Sequence, residues 1–161
     1  MMEQLQKAID LRKNNKFVES NELLYKLVSE YSTNASMNYQ LAWSYDVLGD
    51  EQKAVPYYEK AINLGLSSEE LEGALLKLGS TYRSLGQYEK SKETFVKGIE
   101  LYPNNKALQV FYSMTLYNLK QPAQAIKLLL DVLLQTTNDE EILGYKKAIE
   151  FYSDKLDEVW E

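Results

Sequence analysis

The sequence predicts an all-α chain built from repeated pairs of helices. A short turn segment recurs along the chain, and its equivalent positions are Asn15, Gly49, Gly86 and Lys120, which lie 34, 37 and 34 residues apart. Between these turns, apolar residues recur at helical spacing. Four units of about 34 residues, one three-residue insertion and a 22-residue tail account for all 161 residues. A period of this length, with two helical segments per unit, is typical of helical repeat proteins.

The second unit shows the helix pair most clearly. Leu41, Tyr45 and Leu48 have the spacing of one helix face, and Ala54 begins a second such series after Gly49. Glycine suits the left-handed conformation that ends a helix, and Asn15 fills the same position in the first unit because asparagine tolerates positive φ.

Prolines fit the same helical frame. Pro122 falls at the expected first turn of a helix, where no amide donor is needed, and Pro103 marks a turn at the end of the third unit. Pro56 is expected about one turn inside its helix, where it removes one hydrogen bond.

The tail is predicted to form one long helix over residues 140–161. Its apolar residues are spaced alternately three and four apart, and Thr137 to Glu140 provide a capping-box start. We expect this helix to cover the exposed end of the last repeat, and its surplus apolar surface makes it a candidate for self-association. The stripe consists of Ile142, Tyr145, Ile149, Tyr152, Leu156 and Val159.

Composition excludes much catalytic chemistry. The chain has no cysteine and no histidine, so thiolate nucleophiles, Cys-ligated metals and the commonest general base are all missing. No glycine-rich phosphate-binding loop is present. The densest acidic groups, 69–72 and 139–141, fall at expected helix starts, where capping and the helix dipole explain them. We therefore predict no catalytic residue, no metal site and no cofactor.

Charge and hydropathy bear on location and partners. With 24 acidic and 18 basic residues the net charge is −6, which disfavours binding to nucleic acid. The most apolar stretch, 126–134, is too short to span a membrane and is interrupted by Lys127 and Asp131. The N-terminus lacks the pattern of a signal peptide. A soluble, cytoplasmic protein that binds neither nucleic acid nor membrane is expected.

Short motifs within the units indicate a family. The first helix of a unit carries Leu-small-x-x-Tyr, as in Leu41-Ala42-x-x-Tyr45 and Leu78-Gly79-x-x-Tyr82. The second helix carries small and aromatic residues at matching positions. These are Ala54, Tyr58 and Ala61 in the second unit, and Ser91, Phe95, Gly98 and the terminal Pro103 in the third. In these motifs the chain resembles the tetratricopeptide repeat (TPR) family, in particular its small stand-alone bacterial members. The first and fourth units match more loosely.

This resemblance implies a right-handed α-solenoid of four helix–turn–helix repeats plus a C-terminal capping helix, in a single domain over residues 1–161. The repeats fall at about 1–34, 35–68, 72–105 and 106–139, with the capping helix at 140–161. In the family, the first helix of each repeat lines a concave face that binds peptides or partner helices. Carried over position by position, that face holds Leu5 and Ile9; Tyr39, Trp43 and Asp46; Leu76, Ser80 and Arg83; and Val110, Met114 and Tyr117.

The carried-over positions predict a mainly apolar and aromatic surface. Leu5, Ile9 and Leu76 replace the Lys and Asn residues with which relatives clamp the C-terminal carboxylate of heat-shock chaperones, so that activity is not expected. For Leu5, Ile9 and Val110 we favour simple packing between repeats. The predicted partner-binding residues are Tyr39, Trp43, Asp46, Leu76, Ser80, Arg83, Met114 and Tyr117.

The predicted function is a non-enzymatic interaction module, or adaptor, that binds a protein or peptide in this groove. The alternative is a holding chaperone similar to the small acidic TPR chaperones of bacterial secretion systems. Those usually carry an extra N-terminal dimerising helix, and unit one here starts at Met1. An enzyme is the least favoured class, and a homodimer remains open.

Overall fold

A computed structural model describes all of residues 1–161 and contains ten α-helices and no strand. The helices are α1 Met2–Lys13, α2 Phe17–Glu30, α3 Ala35–Val47, α4 Glu51–Leu64, α5 Ser68–Ser84, α6 Tyr88–Leu101, α7 Lys106–Asn118, α8 Pro122–Thr136, α9 Glu140–Gly144 and α10 Lys146–Tyr152. The first eight follow the predicted succession of helix pairs. The predicted fold class is therefore confirmed: the chain is an all-α protein of the helical-repeat, or α-solenoid, class.

The four predicted turn positions all adopt left-handed backbone conformations. Gly49 and Gly86 have φ of 75° and 74°, and Asn15 and Lys120 have φ of 60° and 63°. Glycine and asparagine accept this conformation readily, whereas a lysine side chain makes it costly. The turn therefore keeps its shape in the fourth repeat although its glycine is missing.

The three-residue insertion lengthens one helix. Helix α5 has 17 residues, against 13 in α3 and 13 in α7, and the additional residues extend its N-terminal end. Ser67 caps this end by accepting a hydrogen bond from the Glu70 amide, and Glu69 and Glu70 occupy the first turn. The predicted position of Glu69 and Glu70 at a helix start is confirmed, and there they interact favourably with the helix dipole.

Both helix prolines lie where the sequence predicts them. Pro122 is the first residue of α8, and Pro56 lies inside α4.

The chain divides into two compact units, Met1–Gln87 and Tyr88–Glu161. In the first unit, α1 to α5 enclose two neighbouring apolar clusters. One contains Leu5, Leu24 and Leu41, and the other is centred on Tyr58 with alanines from α3, α4 and α5 around it. Small residues at these positions allow close contact between helices.

The second unit contains α6 to α10. Phe95 of α6 is fully buried and its ring packs against Tyr112 of α7, while Ser91 and Thr115 share a buried hydrogen bond of 2.8 Å. Helix α8 packs against α7, and α10 packs against α8. None of the helices in the chain combines the length and apolar character that a membrane span requires.

The prediction of one long helix over 140–161 is wrong. Helix α9 ends at Gly144, Tyr145 leaves helical geometry with φ −101° and ψ 11°, and α10 ends at Tyr152. Glycine favours such an interruption because its helix propensity is low. In a continuous helix, residues eight apart are about 12 Å apart along the axis. The rings of Tyr152 and Trp160 are instead 5.4 Å apart, because the chain turns back after α10.

Candidate partner-binding site on the first unit

Helix α3 of the first unit contacts both α1 and α5. Tyr39, Trp43 and Asp46 lie on one face of α3 because they are four and three residues apart. Arg12, near the end of α1, and Lys77, in α5, approach this face from the two neighbouring helices. Arg12, Tyr39, Trp43, Asp46 and Lys77 are together called the Trp43 cluster.

Trp43 carries two cations on its indole. The guanidinium carbon of Arg12 is 3.9 Å from the ring centroid, and the Lys77 ammonium nitrogen is 4.0 Å from it. Both distances are well within the range of cation–π attraction. The side chain of Trp43 is itself only partly buried. Trp43 therefore contacts two positively charged side chains at the edge of the core.

Arg12 is nearly removed from solvent, with 7% of its surface exposed. It donates one hydrogen bond of 3.2 Å to the backbone carbonyl of Gln40 and a second to the Gln40 side-chain oxygen. Burial lowers the pKa of Arg12. The guanidinium nevertheless stays charged, because arginine is not deprotonated in proteins.

Lys77 is also partly desolvated. Its Nζ donates a hydrogen bond of 3.2 Å to the hydroxyl oxygen of Tyr39. Burial, and to a lesser extent the charge of Arg12, lower the pKa of Lys77, while Asp46 acts in the opposite direction. Burial also raises the pKa of the Tyr39 hydroxyl to about 12, so Tyr39 is neutral and gives Lys77 no counter-charge.

Asp46 is the only carboxylate of the Trp43 cluster, and it is bound to hydroxyl groups. Tyr58 donates to its Oδ2 at 2.6 Å, and the Thr81 hydroxyl lies 3.0 Å from its Oδ1. Burial raises the pKa of Asp46, although these two hydrogen bonds oppose the shift. Asp46 thus ties α3 to α4 and α5.

The two cations have no ion-pair partner. The ion pairs of the structure join Lys53 to Asp50, Lys127 to Asp131, Lys146 to Glu150 and Lys155 to Asp154. None of them includes Arg12 or Lys77. A chain with a net charge of −6 therefore has a local excess of positive charge at the Trp43 cluster.

The predicted site residues of the first unit differ in accessibility. Tyr39 is 5% exposed and packs its ring against Trp43 and Tyr58, so it belongs to the core. Trp43, Asp46, Leu76, Ser80 and Arg83 are partly buried. The Arg83 Nε is buried without a hydrogen-bond partner. Leu5 is in the core and Ile9 packs against it, as expected for packing residues.

Sequence reasoning missed Arg12 and Lys77. A signal for Arg12 was present: Arg12, Asp46 and Arg83 each come three residues before a turn residue and so occupy equivalent positions. Lys77 lies between Leu76 and Leu78 in a consensus packing region, and no sequence pattern indicates that it belongs to a site. Its role depends on contacts between helices that are far apart in sequence.

The predicted residues of the second unit are more accessible. Met114 and Tyr117 of α7 are 40% and 67% exposed. In the self-association stripe, Ile142 and Ile149 are partly buried and the other four residues are exposed. The rings of Phe151, Tyr152 and Trp160 contact one another beside this stripe. No group of three or more acidic side chains is arranged to hold a metal ion.

A model of the tetratrico peptide repeat matches residues 35–156 of the sequence. The chain belongs to the tetratricopeptide repeat family. This confirms the resemblance carried by the Leu-small-x-x-Tyr motifs, and it extends the match through the loosely conforming fourth repeat. Curated proteins gave no significant match to the sequence.

Solved structures of TPR proteins share the fold. The protein MamA is 21% identical, with a TM-score of 0.73 over 90% of this chain and 74% of MamA. YrrB, described as a TPR protein with an unusual peptide-binding site, is 18% identical, with a TM-score of 0.73 over 94% of this chain and 76% of YrrB. A putative kinesin light chain from Podosopora anserina with TPR-like repeats is 16% identical, with a TM-score of 0.72 over 96% of this chain and 93% of the kinesin light chain. At these identities the likeness establishes the fold.

Proposed function

We propose that the protein is a non-enzymatic binding module that holds a peptide segment of a partner protein against α1, α3 and α5 of its first unit. One observation carries the proposal: Trp43 holds two partly or largely desolvated cations that have no ion-pair partner. Desolvating unpaired charges costs folding free energy. A counter-charge or other polar group of a partner would offset part of that cost, which supports recognition of a partner at this surface.

The comparisons support this class of function. TPR proteins are typically interaction modules, and YrrB is described as having a peptide-binding site. Leu76, Ser80 and Arg83 of α5 complete the proposed surface on the first unit. Met114 and Tyr117 are proposed as a separate partner contact on the second unit, because both are exposed. A cytoplasmic location is part of the proposal.

Selection of random peptides displayed against the full chain tests the proposal. We expect recurrent peptide families whose binding depends on Trp43. Trp43→Ala is expected to weaken binding by about 2 kcal/mol, because it removes the ring that both cations contact. Trp160→Ala is the matched control, since Trp160 belongs to the second unit and should leave affinity unchanged. Circular dichroism monitors folding of both variants. Failure to select any specific peptide, or unchanged affinity in folded Trp43→Ala, would refute the proposed site.

A holding chaperone is the second candidate. The observation that favours it lies in the second unit, where Ile126, Leu129 and Leu133 of α8 are each about 40% exposed. A contiguous exposed apolar patch marks an interaction site, and a holding chaperone would use it to bind unfolded chains. Light scattering of a thermally aggregating enzyme, titrated with this protein up to a tenfold molar excess, tests this function. Suppression of aggregation by the wild type that is lost in Leu129→Ser would support a chaperone function. No suppression of aggregation at a tenfold molar excess would exclude this function.

A further inference from the structure

We propose that α8 of the second unit carries a further binding surface, and that this surface takes a basic amphipathic helix from a partner protein. Ile126, Leu129 and Leu133 are three and four residues apart, so they share one face of α8. All three side chains are exposed. The partner helix would stack on this face in the way that the first helix of a repeat stacks on the repeat before it. The surface includes no residue of the peptide site proposed on the first unit.

The equivalent positions of the other repeats show what normally covers this face. With the same spacings as the turn residues, Leu129 corresponds to Leu24, Tyr58 and Phe95. Those three side chains are completely buried, whereas Leu129 is 41% exposed. Leu24 and Tyr58 share apolar clusters with residues of α3 and α5, and the ring of Phe95 packs against Tyr112 of α7. In each case the covering element is the first helix of the following repeat.

The tail does not supply a complete covering helix for α8. Tyr145 interrupts it, so α9 and α10 have only five and seven residues. Lys146 also occupies the position at which α3, α5 and α7 have Leu41, Leu78 and Tyr112. A lysine cannot enter an apolar contact between repeats without desolvation of its charge. Helix α10 therefore packs against α8 but leaves the Leu129 face exposed.

A second copy of the chain has no matching helix for a head-to-tail contact. The helix that would stack on α8 is α1, and its residues at the three stacking positions are charged and exposed. They are Glu3, Lys7 and Asp10. The same positions of α3 are all buried, and they are Met37, Leu41 and Ser44. Burial of three charged side chains against Leu129 would be costly, so α1 is a poor occupant of this face.

Charge indicates the polar side of the partner helix. Residues 139–161, which follow α8, contain eight acidic residues and three lysines. Lys146 and Lys155 are already paired, with Glu150 and Asp154. Helix α10 belongs to this acidic segment and packs against α8. A helix with basic residues beside its apolar stripe is therefore attracted to the surface, whereas an acidic helix is repelled.

Fluorescence anisotropy with three labelled peptides tests the proposal on the full chain. The first peptide copies α5, residues 68–84, with the changes Glu69→Lys and Glu72→Lys, which lie on the face opposite to the stacking residues Ala74 and Leu78. The second peptide has the same composition in scrambled order, and the third is the unchanged α5 sequence. We expect the first peptide to bind at least tenfold more tightly than the scrambled one. The unchanged sequence should bind more weakly than the first peptide, and added salt should reduce this difference.

Protein variants assign the binding to α8. Leu129→Ser should weaken binding of the first peptide at least tenfold because it removes the central apolar contact, and Leu133→Ser should act in the same direction. Leu101→Ser is the matched control, since Leu101 is an exposed leucine of α6 in the same unit and should leave the affinity unchanged. Trp43→Ala should also leave it unchanged, because Trp43 belongs to the first unit. Thermal unfolding checks that each variant is folded.

The outcomes separate the partner helix from other occupants of α8. Equal binding of the first and the scrambled peptide would overturn the proposal in favour of a surface for unfolded chains. A wild-type dimer that becomes monomeric in Leu129→Ser would overturn it in favour of a second copy. No measurable binding of the first peptide, or unchanged affinity in folded Leu129→Ser and Leu133→Ser, would also overturn it. The peptide site of the first unit is tested separately, through Trp43.

Discussion

Gly73 of α5 approaches Tyr39 of α3 so closely that a Cβ atom on residue 73 would lie 2.6 Å from the tyrosine hydroxyl oxygen. The same Cβ would be 3.6 Å from the Lys77 Nζ that bonds this hydroxyl. Glycine is therefore required here by a close approach between two helices. Because residue 73 has no side chain, the Tyr39 hydroxyl fits beside the backbone of α5.

Gly73→Ala should destabilise the fold although alanine is the better helix former. The intrinsic preference favours alanine by about 1 kcal/mol, but the clash forces the buried Tyr39 ring to move, and such overpacking costs about 1–3 kcal/mol. We expect a net loss of about 1 kcal/mol in the free energy of unfolding, measured by urea denaturation.

A matched pair of variants isolates the clash. A Cβ atom at position 144 would have no atom within 4 Å, so Gly144→Ala should leave the free energy of unfolding unchanged or raise it. Tyr39→Phe removes the clashing oxygen, and Gly73→Ala should therefore cost less in the Tyr39→Phe background than in the wild type. Equal costs in both backgrounds would show that the hydroxyl is not the obstacle.

The stability of the fold should depend on pH through Asp46. Burial raises the pKa of Asp46 above its ordinary value, so the folded chain holds this proton more tightly than the unfolded chain does. The stabilisation is complete below the unfolded pKa and is lost as pH rises through the folded pKa. Asp46→Asn cannot titrate. The free energy of unfolding of the wild type, minus that of Asp46→Asn, should fall from pH 3.5 to pH 7 in urea titrations. A difference that rises with pH would contradict the prediction.

Lys120→Gly should stabilise the second unit. Lys120 has φ of 63° at a position where two other repeats have glycine. Relieving this left-handed strain is worth about 1 kcal/mol, after allowing for the greater freedom of glycine in the unfolded chain. Gly49→Ala is the reverse control: no atom lies within 4 Å, so its expected loss comes from the backbone alone. An unchanged melting temperature for Lys120→Gly would show that the turn is not strained.

Deletion of residues 140–161 should destabilise the second unit. Helix α10 packs against α8, so the deletion uncovers apolar surface at the end of the repeats. We expect aggregation or a loss of several kcal/mol in the free energy of unfolding, because solenoid ends need a covering element. A truncated chain that is soluble, monomeric and equally stable would exclude a capping role.

Self-association through the exposed stripe remains a prediction. Tyr145, Tyr152 and Val159 are 71%, 50% and 91% exposed. Light scattering of the intact chain at increasing concentration measures the oligomeric state. A dimer should become a monomer on Tyr145→Glu. A strict monomer at high concentration would exclude this role.

The repeats could be predicted from the sequence because the features that define them are local. A turn residue such as Gly49 and the apolar spacing around Leu41 act within a few residues of the chain, and both predictions are confirmed. Even Lys120 was found, because its position in the period is fixed by its neighbours.

The tail and the site could not be predicted in the same way. The apolar stripe of the tail has the right spacing for a helix, but Gly144 and the packing of Trp160 against Tyr152 favour a folded-back chain. Arg12 and Lys77 meet at Trp43 although they are 65 residues apart in sequence. Periodicity places residues on a helix face, but it does not tell which long side chains reach across to a neighbouring helix.

The position of Trp43 between the cations also gives the protein a built-in optical reporter. The chain has two tryptophans, and the other, Trp160, belongs to the second unit. In a Trp160→Phe background, all indole emission would come from the residue that touches Arg12 and Lys77. The electric field of nearby charges shifts the emission wavelength of an indole, so neutralising these cations should shift the emission maximum of Trp43. Occupancy of the site could then be followed in solution without attaching a dye.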